Sequence, residues 1–269
     1  MLDGISFGQY FPANSVIHRL DARTKILLTI GLIVALFLPK GFAALGLVAA
    51  FTVVVYALSR IPFTLALKSI KAILPLILFM TLLNLLYLPG EHILWSWWIF
   101  KITEEGILKA IFMAVRIALL IVVTSLLTYT TSPIDLTDGL ERLLRPLALL
   151  HVPVHDLAMI MTIALRFIPT LMEEAEKILS AQKARGADIE NGSLTKRVKA
   201  LIPILVPLLV SAVRRATELA TAMDCRCYQG GKGRTRMKQS KLGFRDLVAA
   251  LVFICLLAGV ILLDRFVGI

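Results

Sequence analysis

Cysteine is scarce, with three residues in a chain of 269. Cys225, Cys227 and Cys255 provide no disulfide framework and suit a reducing compartment. Cys225 and Cys227 lie two apart in a helical stretch, where side chains do not face each other, so they make a poor metal pair. The four histidines, His18, His92, His151 and His155, share no ligand spacing. No HExxH or GxSxG motif occurs. The glycine-rich 230–235 stretch lacks the GxxxxGK[ST] order and leaves a helix instead of opening one, which excludes a phosphate loop. Repeats of 20–50 residues and low-complexity linkers are missing as well. The first residues show no basic stretch followed by an apolar one, so no cleaved signal is expected. The sequence therefore predicts no catalytic residue, no metal site and no cofactor in this chain.

Charge is also low, at 17% Asp, Glu, Lys and Arg, while 58% of the residues are apolar. With a mean hydropathy of +0.83, the chain has the lipid bilayer as its solvent. The formal charge of +11 then belongs to segments on the inner side of a membrane and does not indicate nucleic-acid binding. Apolar runs at 26–38, 42–58, 72–88, 106–130 and 244–263 predict five spans. Pro39-Lys40-Gly41 reads as a tight outer turn. Residues 89–105 hold three tryptophans and few basic residues, as an outer interfacial loop with an aromatic belt does. Arg116 lies inside the fourth run, where an unpaired arginine costs about 2.5–3.5 kcal/mol. It is either a functional charge facing a partner or water, or an arginine held by helix carbonyls.

Between the fourth and fifth spans the pattern changes. Ser132-Pro133 reads as a helix start, with Ser132 the N-cap. From residue 168 onward Ile168, Leu171, Met172, Ala175, Ile178, Leu179 and Gln182 form one helical stripe. A second long helix runs over 194–228 with a stripe of Leu205, Leu209, Ala212, Ala216, Leu219, Ala220 and Met223. Its alanines, spaced by four, predict a close crossing with the first long helix. The helices end on Ala184-Arg185-Gly186 and Cys225-Arg226-Cys227. A cation is favoured at a helix C-terminus, so such arginines are common as plain caps. On a rigid tip they also fork onto a carboxylate of another protein.

Several stretches together give these patterns a family. Tyr10–Lys25 (YFPANSVIHRLDARTK), Thr131–Glu141 (TSPIDLTDGLE), Leu165-Arg-Phe-Ile-Pro169, Ala181-Gln-Lys-Ala-Arg-Gly186 and Ala222-Met-Asp-Cys-Arg-Cys-Tyr228 resemble the transmembrane T component of energy-coupling factor vitamin transporters, the CbiQ/EcfT family. The resemblance covers nearly the whole chain. It implies that Ala184-Arg185-Gly186 and Cys225-Arg226-Cys227 each dock in one of two ABC-type ATPase subunits, which would bind ATP and Mg. It also implies a small membrane S component that captures the substrate and topples as the coupling helices move. The second motif departs from the family pattern, with cysteine in place of both alanine and glycine.

The expected fold is an all-α integral membrane protein of about five spans with a cytoplasmic coupling domain of three helices, two of them long and crossed. The expected division is 1–130 for four spans, 131–243 for the coupling helices and 244–269 for the last span. The expected location is the bacterial inner membrane, with the N-terminus and coupling domain cytoplasmic and the C-terminus outside. Two rivals stand beside this reading: a subunit of a dedicated nickel or cobalt importer, and an intramembrane enzyme using Arg116 and the basic block.

Overall fold

The computed structural model describes residues 10–87, 93–97, 100–150, 153–186, 194–230 and 243–267. Its long elements are all helical: α1 (Ala22–Phe37), α2 (Phe42–Leu58), α3 (Phe63–Tyr87), α4 (Glu104–Thr130), α5 (Pro133–Leu144), α6 (Val154–Ala184), α7 (Leu194–Cys225) and α8 (Phe244–Val267). A short antiparallel hairpin, β1 (Ile93–Trp97) and β2 (Phe100–Thr103), lies in the stretch expected to be a loop. Trp98 lies outside the described residues, as do the turn at 191–193 and the basic segment 231–242. The chain divides into two compact units. One takes described residues of 8–142 and 239–269, the other those of 143–238. By this division α5 groups mainly with the first unit and α6–α7 form the second.

Five helices are long and apolar enough to cross a membrane: α3, α4, α6, α7 and α8. This equals the expected number of spans but is a different set. The 16 residues of α1 and 17 of α2 extend only about 24–26 Å, short of a hydrocarbon core of about 30 Å. Apolar stretches over the first half of α6 and over 200–213 of α7 give those helices span-like composition although both end polar. The helices α3, α6 and α7 continue through Pro75, Pro169, Pro203 and Pro207.

In the first unit α1 and α2 pack against α4 and α8, and α3 packs along α4. The core joins Leu32 and Leu36 of α1 to Leu45 and Val48 of α2, Val123 of α4, and Leu256 and Val260 of α8. Gly31 permits the close approach of α1 and α8, since a Cβ there would sit 2.6 Å from the Phe253 ring.

Two aspartates near the ends of α8 hold α1 at both ends. Asp246 accepts a bond from the Asp21 N–H (3.0 Å) and another from Gly243 N–H (2.8 Å), capping its own helix as well. Asp264 accepts from the N–H groups of Lys40 (3.1 Å) and Gly41 (3.4 Å) in the α1–α2 turn. The two carboxylates are about five turns apart and so face the same side of α8.

Arg116 meets the same turn. Its Nη2 donates to the Pro39 carbonyl (2.6 Å), and its guanidinium lies 4.6 Å from the centre of the Phe112 ring and 5.9 Å from that of Phe37. The short α1–α2 hairpin therefore places an open backbone carbonyl within reach of an arginine well inside α4. A carbonyl bond and two ring faces surround its guanidinium, while its buried Nε has no hydrogen-bond partner among the described residues. Arg116→Leu is expected to lower thermal stability by about 1.5–3 kcal/mol, the worth of a hydrogen bond to a charged group. Uptake per folded molecule should be unchanged, as read by transport assays normalised to monodisperse protein.

Candidate functional site

The chain from Tyr10 to Lys25 folds against the end of α4. Phe11 N–H donates to the Tyr129 carbonyl (3.0 Å). His18 Nε2 donates to the Phe11 carbonyl (3.0 Å), which leaves Nδ1 to accept from the Ser15 hydroxyl (2.7 Å). Burial lowers the His18 pKa, outweighing the favourable carbonyl bond, and nearby Lys25 pushes in the same direction. The neutral ring is therefore the form these bonds use. Asp21 caps α1, accepting from Arg23 N–H (3.1 Å). Lys25 lies in the first turn of α1, just ahead of the apolar run. Its Nζ donates to the carbonyls of His18 (3.1 Å) and Thr130 (2.9 Å). Burial pulls its pKa down to about 8, against the attraction of Asp135, Asp21 and Asp246. The expected helix start is present, since Asp135 N–H donates to Ser132 Oγ (3.1 Å) and Ser132 Oγ donates back to Asp135 (2.7 Å). The two stretches quoted first for the resemblance thus tie together the ends of α1, α4, α5 and α8.

In the second unit α6 packs on α7. On α6 the partly covered residues include the expected stripe from Ile168 to Gln182, while Glu173, Lys177 and Lys183 are exposed. The face of α7 differs from expectation. Leu205 and Leu209 are 57% and 66% exposed, whereas Ile204 and Ser211 are 8% and 7% exposed. The covered positions are Ile204, Leu208, Ser211, Ala212, Arg215, Leu219 and Met223, and Ala216 and Ala220 lie open. So the alanine row does not form the contact. A polar clasp does: Glu174 accepts from Ser211 Oγ and from Arg215 through Nη2 (2.8 Å) and Nε (3.2 Å). The forked geometry fixes the register of one helix on the other. Sequence periodicity missed this because α7 is apolar on every side over 200–210. The usable signal was Ser211 and Arg215, four apart, with a glutamate on the facing helix.

Both tips then close in the same way. Arg185 is the C-cap of α6, Gly186 follows at φ +84°, and Gly186 N–H donates to the Lys183 carbonyl (3.0 Å). After α7, Cys227 stands at φ +55° and its N–H donates to the Asp224 carbonyl (2.9 Å). Tyr228 N–H reaches Met223 O (3.1 Å), completing a Schellman closure with Arg226 at the C-cap. The cysteine that replaces a glycine thus adopts glycine's backbone conformation. Ala184, Arg185, Gly186, Cys225, Arg226 and Cys227 are all exposed. Neither arginine forms an ion pair among the described residues. Each tip therefore presents a solvent-facing guanidinium on a hydrogen-bonded backbone cap at the negative end of a helix. Among the described residues no three His, Cys, Asp or Glu groups gather as a metal site.

The left-handed residues give a prediction of opposite sign at the two tips. A non-glycine residue there costs roughly 1–2 kcal/mol, against a chain-entropy cost of about 0.4–1 kcal/mol for glycine. Cys227→Gly should stabilise the second unit slightly, by up to about 1 kcal/mol, and Gly186→Val should destabilise it by at least as much. Hydrogen exchange at the last turns of α6 and α7 reads both.

The CbiQ family, described as cobalt transport protein, matches residues 13–237. An energy-coupling factor transporter transmembrane protein EcfT of Clostridium kluyveri is 50% identical over 260 residues, covering 95% of this chain and 96% of that one. A protein of the same description from Acidaminococcus fermentans is 49% identical over 256 residues, 95% of each chain. That of Bacillus subtilis is 46% identical over 239 residues, covering 89% and 90%. With two similarly capped helix tips in one unit and membrane-length apolar helices, the chain belongs to the CbiQ family and is a transmembrane component of the energy-coupling factor type.

Proposed function

We propose that this chain couples two ABC-type ATPase subunits to a small substrate-binding S component in the bacterial inner membrane. Arg185 docks in one ATPase and Arg226 in the other. ATP and Mg are bound by those subunits, and their closure moves α6 and α7. The observation that carries this reading is the shared geometry of the tips, with exposed arginines at matching cap positions followed by left-handed residues. A lone capping arginine is commonplace, but two that close alike at the ends of clasped helices suit two similar receiving grooves.

Coupling needs rigid levers, and the Glu174 clasp to Ser211 and Arg215 supplies one. The open apolar face of α7, with Leu205, Leu209 and Val213, suits a hydrophobic partner such as the S component. The substrate, a vitamin or other micronutrient, is selected by that S component. The tips and the N-terminus lie on the cytoplasmic side and the C-terminus outside, in keeping with the many Lys and Arg residues between 177 and 245.

The thiols beside Arg226 offer a direct test. In a Cys255→Ser background, a maleimide photo-crosslinker placed on Cys225 and Cys227 should capture a nucleotide-binding ATPase in native membranes. Ala184→Cys in a chain free of the other cysteines should capture one from the first tip. Crosslinks only to lipid or to other copies of the chain would overturn the assignment.

A further inference from the structure

The first unit contains an apolar cavity of about 270 Å³ bounded by α1, α2, α4, α8 and the 16–20 turn. Its walls are almost wholly hydrocarbon, including Leu28, Val55 and Val252. Its polar end is cationic, with Lys25 and Arg245 lining it and no carboxylate among its lining residues. Asp246 instead lines a separate cleft with Thr24 and Phe244. Arg245 is exposed and forms no ion pair among the described residues. Lys25 has three N–H donors, two of them committed to carbonyls. On α1 the lining runs from Lys25 to Leu32, about 10 Å along the helix axis.

We infer that this cavity is a binding site for one anionic phospholipid, its phosphate at Arg245 and Lys25 and an acyl chain along the hydrocarbon walls. A basic mouth on an apolar slot between membrane helices has the charge and polarity of that ligand. Free phosphate would leave the slot unfilled, and a zwitterionic lipid adds a like charge at the cationic mouth. The short α1 and α2 make such a filler useful, since a bound lipid packs the first turns of α1 and the last turns of α2 against α8. The site is formed wholly by residues of the first unit and does not depend on how the arginine tips of the second dock.

The test uses the full chain, purified and stripped of lipid, with thermal unfolding and native mass spectrometry as readouts. Phosphatidylglycerol, phosphatidylcholine and inorganic phosphate are added separately. Phosphatidylglycerol should raise the unfolding temperature and remain as a single bound lipid. Phosphatidylcholine should bind more weakly, and phosphate should have no effect. Arg245→Ala should weaken phosphatidylglycerol binding about fivefold, the contribution of one basic group near a lipid surface. Ala249→Phe, which fills the slot, should abolish retention. Because Arg245 is exposed, its variant keeps the test valid if Ala249→Phe fails to fold. Equal binding of the two lipids, stabilisation by phosphate alone, or unchanged retention in Arg245→Ala would overturn the site.

Discussion

Reversing the charge at both tips, Arg185→Glu with Arg226→Glu, is expected to abolish ATP-driven uptake while leaving the chain folded and inserted. Both side chains are exposed and form no ion pair among the described residues, so their removal costs the fold little. At an interface the balance differs. Breaking a desolvated, hydrogen-bonded charge pair costs about 2–5 kcal/mol, and reversal adds repulsion. Two tips together should weaken docking by at least about a thousandfold. Each single reversal should leave one ATPase attached and uptake severely reduced. Proteoliposomes with all subunits reconstituted, assayed for uptake beside unfolding temperature, separate this from misfolding. Normal uptake by a well-folded double variant would remove the tips from the mechanism.

The second large effect is expected at Asp246. Asp246→Ala removes the acceptor of the Asp21 and Gly243 N–H groups in a largely buried site. Two bonds to a charged acceptor at about 1.5 kcal/mol each give a loss near 3 kcal/mol. Asp246→Asn keeps one oxygen and should recover part of that loss. The change also frees the start of α1, so protease sensitivity should rise between residues 10 and 25 before the helices unfold. An unchanged unfolding temperature and cleavage pattern in Asp246→Ala would show that α8 does not anchor α1.

The long helices were legible because their signals are local and strong. Ser132 before Pro133 marks a helix start from two residues alone. The α6 stripe shows because charged residues flank it on both sides. The face of α7 was not legible for the opposite reason. Its 200–210 stretch is apolar all round, so periodicity cannot choose between the row containing Leu205 and that containing Ile204. The choice was made by Glu174 on another helix, a contact 37 residues away in sequence. The α8 aspartates belong to the same class: their partners, Asp21 and the 39–41 turn, lie more than 200 residues away in sequence. Arg116 bonds a carbonyl, but that of Pro39 in the α1–α2 turn and not one of a helix. Its partner came from the shortness of α1 and α2, whose turn falls at the depth of that arginine. The tips were placed correctly as helix ends, and the equivalence of Cys227 with Gly186 became visible only in the backbone angles.

The most direct measurement is the intact mass of the complex that a tagged, wild-type chain brings down from its own host in mild detergent. The coupling account predicts one copy of this chain with two nucleotide-binding ATPase subunits and a small hydrophobic membrane protein, and loss of both ATPases in the double reversal variant. A monodisperse chain recovered alone, or one that keeps both ATPases with its tips reversed, would contradict it.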